Sequence, residues 1–125
     1  MSQKQSKILI IDDKAASFVV FDAIFASSPF SVIKATSGFE ALDLINTHDI
    51  SLFLINVQMP IMDGFETAYR IRKFEKYLQT PMIFITAYDK DQVYIKAPQQ
   101  ATMEDFIFKP FNPQDLRTRV EALVS

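Results

Sequence analysis

The chain has no cysteine, a single histidine (His48) and only two glycines, Gly38 and Gly64, in 125 residues. Without cysteine there is no disulfide framework and no thiolate, and one histidine cannot build a transition-metal site or a Cys/His dyad. His48, in a polar turn, therefore reads as a solvated loop residue. No Gly-rich phosphate loop and no Gly-x-Ser-x-Gly elbow is present, which disfavours an enzyme acting on a small molecule. The formal charge of −2 arises from 13 basic and 15 acidic residues with no Lys/Arg run, so a direct nucleic-acid partner is not expected. The apolar run Ile8–Ile11 is far too short to cross a bilayer, and the N-terminal stretch lacks the h-region and cleavage site of a signal peptide. The expectation is a soluble, cytoplasmic domain without a membrane partner.

What is present is an ordinary globular balance, 49% hydrophobic and 22% charged, in a length suited to one buried core. Residues 1–6 are polar and expected to fray, leaving 7–125 as the domain. Short apolar strands are expected at Lys7–Ile11, Phe30–Ala35, Leu52–Ile55, Met82–Ile85 and Phe106–Phe108. Helical patterns alternate with them. The first, Lys14 to about Ala26, is unusually apolar (Phe18, Val19, Val20, Phe21, Ala23, Ile24, Phe25), so it is either covered on most sides or leaves a patch for a partner.

Ser37 and Glu40 form a capping-box pattern opening a second helix through about Asn46, with Ala41, Leu42 and Ile45 inward. The third is expected from Phe65 to about Tyr77, with Phe65, Ala68, Ile71, Phe74 and Leu78 as its apolar stripe. Asp89 with Gln92 marks the fourth, ended or kinked at Pro98, and Asn112 with Pro113 opens a fifth whose inner face is Leu116, Val120 and Leu123. Strict alternation of five strands and five helices implies an α/β domain with a parallel sheet between two helical layers.

The strand ends carry the chemistry. Asp12 and Asp13 follow the first strand, Asn56 ends the third, Thr86 the fourth and Lys109 the fifth. In open α/β sheets the ligand crevice lies outside these carboxyl ends. The acidic oxygens suit a hard divalent cation such as Mg²⁺, while a Thr hydroxyl and a Lys ammonium suit the oxygens of a phosphoryl group. The missing part is a nucleophile.

With its motifs I-I-D-D at 10–13, A-T-S-G-F-E-A-L at 35–42, N-V-Q-M-P-I-M-D-G at 56–64, T-A-Y-D-K-D at 86–91 and F-I-F-K-P-F at 106–111, the chain resembles the receiver domain of two-component response regulators and hybrid histidine kinases. The resemblance runs from about Lys7 to the end. It implies a flavodoxin-like (βα)5 fold, a three-layer sandwich with strand order 2-1-3-4-5, for which a receiver is one of the standard examples. It also implies that a phosphoryl group would pass from a histidine kinase or histidine phosphotransfer protein to position 56, here Asn56. Asp12 and Asp13 would hold Mg²⁺, helped by the Gln58 backbone carbonyl and by the one oxygen that Asn56 can still offer. Thr86 would be the hydroxyl that reports phosphorylation, Lys109 would bind phosphoryl oxygens, and Phe106 falls at the aromatic switch position. An output domain or a second copy would engage the face made by the fourth helix, fifth strand and fifth helix, and a kinase's histidine-bearing helices would dock on the first helix.

A carboxylate attacks phosphorus to give an acyl phosphate, whereas a neutral carboxamide is a poor nucleophile. Phosphorylation at Asn56 is therefore not expected, and Mg²⁺ binding should be weakened by loss of a negative charge. Two readings fit: a working receiver altered at one position, which the retained Asp12, Asp13, Thr86 and Lys109 favour, and a phosphorylation-independent pseudo-receiver that binds a partner constitutively. A flavin carrier on the same fold is disfavoured, because Asp12 and Asp13 would repel phosphate where that fold needs a phosphate loop. Phe106 can rotate but has no hydroxyl, and is equally readable as core. Ala101-Thr102 replaces a Gly turn common in related receivers, so with Pro98 upstream an unusual exit from the fourth helix is expected.

Overall fold

Side chains alternate along each strand between two separate cores, and this alternation sets the architecture of the computed structural model, which describes residues 5–97 and 105–124. The elements are β1 (Lys7–Ile11), α1 (Ala15–Phe25), β2 (Ser31–Ala35), α2 (Gly38–Leu44), β3 (Leu52–Asn56), α3 (Gly64–Ile71), β4 (Met82–Thr86), α4 (Lys90–Lys96), β5 (Phe106–Phe108) and α5 (Pro113–Val124), with one 3-10 turn at Glu75–Tyr77. All strand pairs are parallel, in the order β2-β1-β3-β4-β5. This is the flavodoxin-like order expected from the motifs.

Leu9, Ile11, Phe53, Ile55 and Phe84 face the core closed by α2, α3 and α4. Ile8, Ile10, Leu52, Leu54, Ile83 and Ile85 face the other, closed by α1 and α5. Because β3 and β4 are covered on both faces, their five residues are buried without exception, as expected of central parallel strands.

The caps hold the helices in register with the sheet. Asp89 accepts from Gln92 N and Gln92 returns a bond to Asp89 N, a complete capping box. Asn112 Oδ1 accepts from Gln114 N at 2.8 Å. Ser37 Oγ accepts from Glu40 N, but Glu40 Oε1 reaches back to Thr36 N rather than to the cap residue, so the expected box closes one residue early.

Three expectations are corrected by the packing. The third helix ends at Ile71 rather than near Tyr77, and Phe74 and Leu78 are exposed. Their place is taken by Tyr77, buried against Phe53, whose hydroxyl donates to His48 O at 2.7 Å and accepts from Ile50 N at 3.3 Å. Arg72 closes that turn by donating to the carbonyls of Tyr77 and Thr80; burial holds its pKa below the ordinary arginine value, with Asp105 partly offsetting. Leu123 is exposed, leaving Leu116 and Val120 as the buried residues of α5. His48 is half-buried rather than solvated, and its Nδ1 has no hydrogen-bond partner among the described residues.

In α1 the apolar excess is divided: Phe18, Phe21 and Phe25 are buried, whereas Val19 is 71% exposed and Val20 is also exposed. Of residues 1–6, expected to fray, 1–4 lie outside the described residues, as does the path of Pro98 to Glu104, including Ala101-Thr102. Ser6 O accepts from Ser31 N, so β1 is tied to β2 from just before its start. Among the described residues no helix is long and apolar enough to cross a membrane.

Candidate functional site

Four buried polar or charged residues occur among those described: Asp12, Asn56, Thr67 and Thr86. Thr67 is satisfied within α3, donating to Asp63 O. The other three stand at the carboxyl ends of adjacent strands, where a buried polar group must find partners or hold a ligand.

Parallel register brings them together. Ile11 lies opposite Ile55, so the chain leaves β1 at Asp12 beside Asn56, and Asn56 lies opposite Ile85, one residue before Thr86. Thr86 pairs with Phe108, and Lys109 N donates to Thr86 O at 2.8 Å, which starts the Lys109 side chain at the same edge. The Lys109–Pro110 peptide bond is cis.

Asn56, 3% exposed, uses both halves of its carboxamide. Its Oδ1 accepts from Lys109 Nζ at 3.1 Å and its Nδ2 donates to Gln58 O at 3.0 Å. These partners fix the amide orientation, since the reverse would set NH₂ against an ammonium and one oxygen against another. Thr86 Oγ1 donates to Gln58 Oε1 at 3.1 Å and accepts from Tyr88 N at 3.0 Å; Ala87 N donates to the same Gln58 Oε1 at 3.2 Å. Asp12 Oδ1 accepts from Lys14 N at 2.9 Å. Asp13 Oδ1 is buried without a hydrogen-bond partner among the described residues, with Lys14 Nζ 3.6 Å away.

Two backbone features hold the loop after β3 against the site. Gly64 N donates to Val57 O, and a Cβ at Gly64 would collide with Asn56 O, Ile55 Cγ2 and Val57 Cα, so only glycine permits this approach. Ile61, 95% exposed, sits at φ 72° while Met62 N bonds Pro60 O at 2.8 Å, a strained γ-type turn for a β-branched residue.

The oxygen set suits a hard cation. Asp12 spends one oxygen on Lys14 N, Asp13 Oδ1 is buried with no hydrogen bond, and the Gln58 carbonyl receives a single N–H. Mg²⁺ takes one or two protein carboxylates and keeps several waters, which these residues can supply. No group of three or more His, Cys, Asp or Glu is placed to hold a metal ion among the described residues, and the Asn56 NH₂ faces the carbonyl that a cation would share.

Phe106 is 3% exposed and packs among Phe65, Phe84 and Phe108, with ring centroids 5.9, 5.3 and 6.2 Å away. In this arrangement it belongs to the core beside α3 and α4. Asp12, Asp13, Asn56, Thr86 and Lys109 all come to one edge, as does Gln58. Sequence reasoning assigned Gln58 only through its backbone and left out its side chain and the N–H groups of Ala87 and Tyr88. A long amide two residues beyond a strand end was the one signal available for the first; backbone donors carry none.

The family model described as response regulator receiver domain matches residues 8–121. Among curated proteins the chain is 30% identical over 119 residues to the alkaline phosphatase synthesis transcriptional regulatory protein PhoP of Bacillus subtilis, covering 94% of this chain and 48% of that protein. It is 29% identical over 123 residues to the probable transcriptional regulator ycf27 of Cyanidium caldarium, covering 98% and 48%. The chain thus spans about half the length of these curated relatives. Among solved structures it superposes on the receiver domain of a Francisella response regulator with TM-score 0.81 and 29% identity, covering 96% of this chain and 97% of that one. The receiver domain of a Pseudomonas aeruginosa sensor histidine kinase, described with a magnesium ion coordinated in its active site cleft, shares the fold at TM-score 0.81 and 24% identity, covering 97% and 98%.

Proposed function

Because the chain belongs to the response regulator receiver domain family, we propose that it is a two-component signalling receiver whose phosphoacceptor position is Asn56 and which therefore does not accept a phosphoryl group. The observation that carries this reading is the 3.1 Å bond from Lys109 Nζ to Asn56 Oδ1: the one cation at this edge supplied by β5 is bonded to the atom where a carboxylate nucleophile would stand. The amide keeps the geometry and removes the nucleophile.

In the proposed site Asp12, Asp13 and the Gln58 carbonyl would hold Mg²⁺, less tightly than with a carboxylate at position 56. When bound, the cation supplies charge neutralisation to phosphoryl oxygens. Lys109 and the Thr86 hydroxyl would receive those oxygens, the former as a point charge and the latter as a hydrogen-bond donor. With a carboxylate at position 56, Thr86 would change partners on phosphorylation, and Phe106 would report that change only by moving in or out of its aromatic cluster, since it has no hydroxyl.

The partner would be a histidine kinase or histidine phosphotransfer protein, which would donate a phosphoryl group only to a form with a carboxylate at position 56. An output domain or a second copy would meet the α4-β5-α5 face, where Tyr94 and Ile95 of α4 are exposed. The domain is not an enzyme toward other substrates in this reading and acts in the cytoplasm. A second reading, a phosphorylation-independent interaction module, is favoured by one observation: both halves of the Asn56 amide are already satisfied by partners within the chain.

The two separate on labelling. Radiolabelled phosphoramidate with Mg²⁺ should label Asn56→Asp with a hydroxylamine-sensitive group, and should leave the unaltered chain unlabelled. A pocket that stays unlabelled in Asn56→Asp supports the interaction module instead.

A further inference from the structure

Gln58 makes two kinds of contact in this site, and only its carbonyl has a place in the proposed function. Its side-chain Oε1 collects the Thr86 hydroxyl at 3.1 Å and the Ala87 N–H at 3.2 Å. A hydroxyl has one proton, and because Gln58 Oε1 can only accept, that proton is committed to Gln58 while Thr86 Oγ1 accepts from Tyr88 N. The two donors also fix the Gln58 amide, since its NH₂ would face them donor to donor.

A hydroxyl and a backbone N–H converging on one oxygen, at an edge that also carries the Lys109 ammonium, form the donor set an oxyanion requires. Here a neutral amide oxygen from the same chain fills it. We propose that Gln58 is a tethered competitor for the oxyanion seat: its side chain holds Thr86 and Ala87 as a phosphoryl oxygen would, and an anionic ligand must displace it to enter. The proposal rests on the reading of this edge as a phosphoryl site. It adds a second obstacle to phosphorylation, separate from Asn56, and one that is reversible. Gln58 is half-buried on the loop after β3, so it can swing outward, and an entering oxyanion restores both of the bonds given up.

The test is a titration of inorganic phosphate read on the ¹⁵N–¹H signal of Ala87, comparing the chain with Gln58→Ala and Gln58→Glu. Gln58→Ala frees both donors and should bind phosphate about tenfold more tightly, with the Ala87 amide among the most shifted signals. Gln58→Glu sets a charged competitor in the same seat and should bind more weakly than the chain, which keeps the proposal testable if Gln58→Ala does not fold. Equal affinity across the series, or a gain in affinity that leaves the Ala87 signal unmoved, overturns the proposal. Labelling of Asn56→Asp tests the functional reading separately. A chain labelled in that form but with phosphate affinity independent of residue 58 keeps the function and loses the competitor.

Discussion

Placing a carboxylate at position 56 should make the metal-free protein less stable, even though it supplies the proposed nucleophile. In Asn56→Asp the bond from Lys109 survives, but the donor to the Gln58 carbonyl is replaced by an oxygen that cannot donate, at a cost of about 1 kcal/mol. The new charge is nearly buried and joins Asp12 and Asp13. With carboxylates about 5 Å apart and an effective dielectric near 20, each repulsion is worth at most about 3 kcal/mol. Attraction to Lys109 at the present 3.1 Å offsets most of that, though the exposure of Lys109 weakens it. The balance is a loss of about 2 kcal/mol, or roughly 5–10 °C in Tm for a domain of this size. A cation reverses the sign of the carboxylate cluster, and at a hundredfold excess over its Kd it returns about 2.7 kcal/mol. Thermal melts in chelator and in saturating Mg²⁺ read both effects. If Asn56→Asp melts with or above the chain in chelator, or if Mg²⁺ raises both proteins equally, the electrostatic account of this site is refuted.

Gly64→Ala should destabilise by at least about 2 kcal/mol in urea melts, because the added Cβ meets backbone at Asn56 and Val57 that cannot move without shifting the end of β3. Tyr77→Phe should cost about 1–2 kcal/mol by removing the hydroxyl that bridges His48 O and Ile50 N; an unchanged melt would mean that water replaces it. On α1, Phe18→Asp should cost several kcal/mol, since it replaces a buried core ring by a carboxylate, whereas Val19→Asp should shift stability by no more than about 0.5 kcal/mol. Docking of a histidine-bearing helix is therefore tested at Val19 and Val20, and weaker binding by a folded Val19→Asp is the expected result.

Much of this was legible in the chain because the governing interactions are local. The strands announce themselves as apolar runs closed by polar residues, and the capping signals at Asp89 and Asn112 operate within three residues. Asp63, which accepts from Glu66 N at the start of α3, belongs to the same class. The polar residues at strand ends followed from parallel topology, which gathers them at one edge.

What failed depends on contacts that reach beyond one helical turn. The end of α3 is set by Arg72 reaching Tyr77 and Thr80 and by Tyr77 bridging to the loop after α2, so the 3.6-residue period alone carried the helix too far and buried the wrong residues, Phe74 and Leu78. The Gln58 side chain finds partners 28 and 29 residues away on the next strand's exit, a placement that only the β3–β4 pairing determines. Division of the apolar α1 residues between core and solvent likewise needed the position of the sheet.

The most direct measurement is intact mass after incubation with Mg²⁺ and a small acyl-phosphate donor, run on the chain, on Asn56→Asp and on Asn56→Asp with Lys109→Ala. The account predicts one added phosphoryl group on Asn56→Asp, none on the unaltered chain and a strongly reduced yield without Lys109. A phosphoryl group on the unaltered chain, or none on Asn56→Asp, would contradict the claim that a carboxylate at position 56 is what this pocket lacks for phosphoryl transfer.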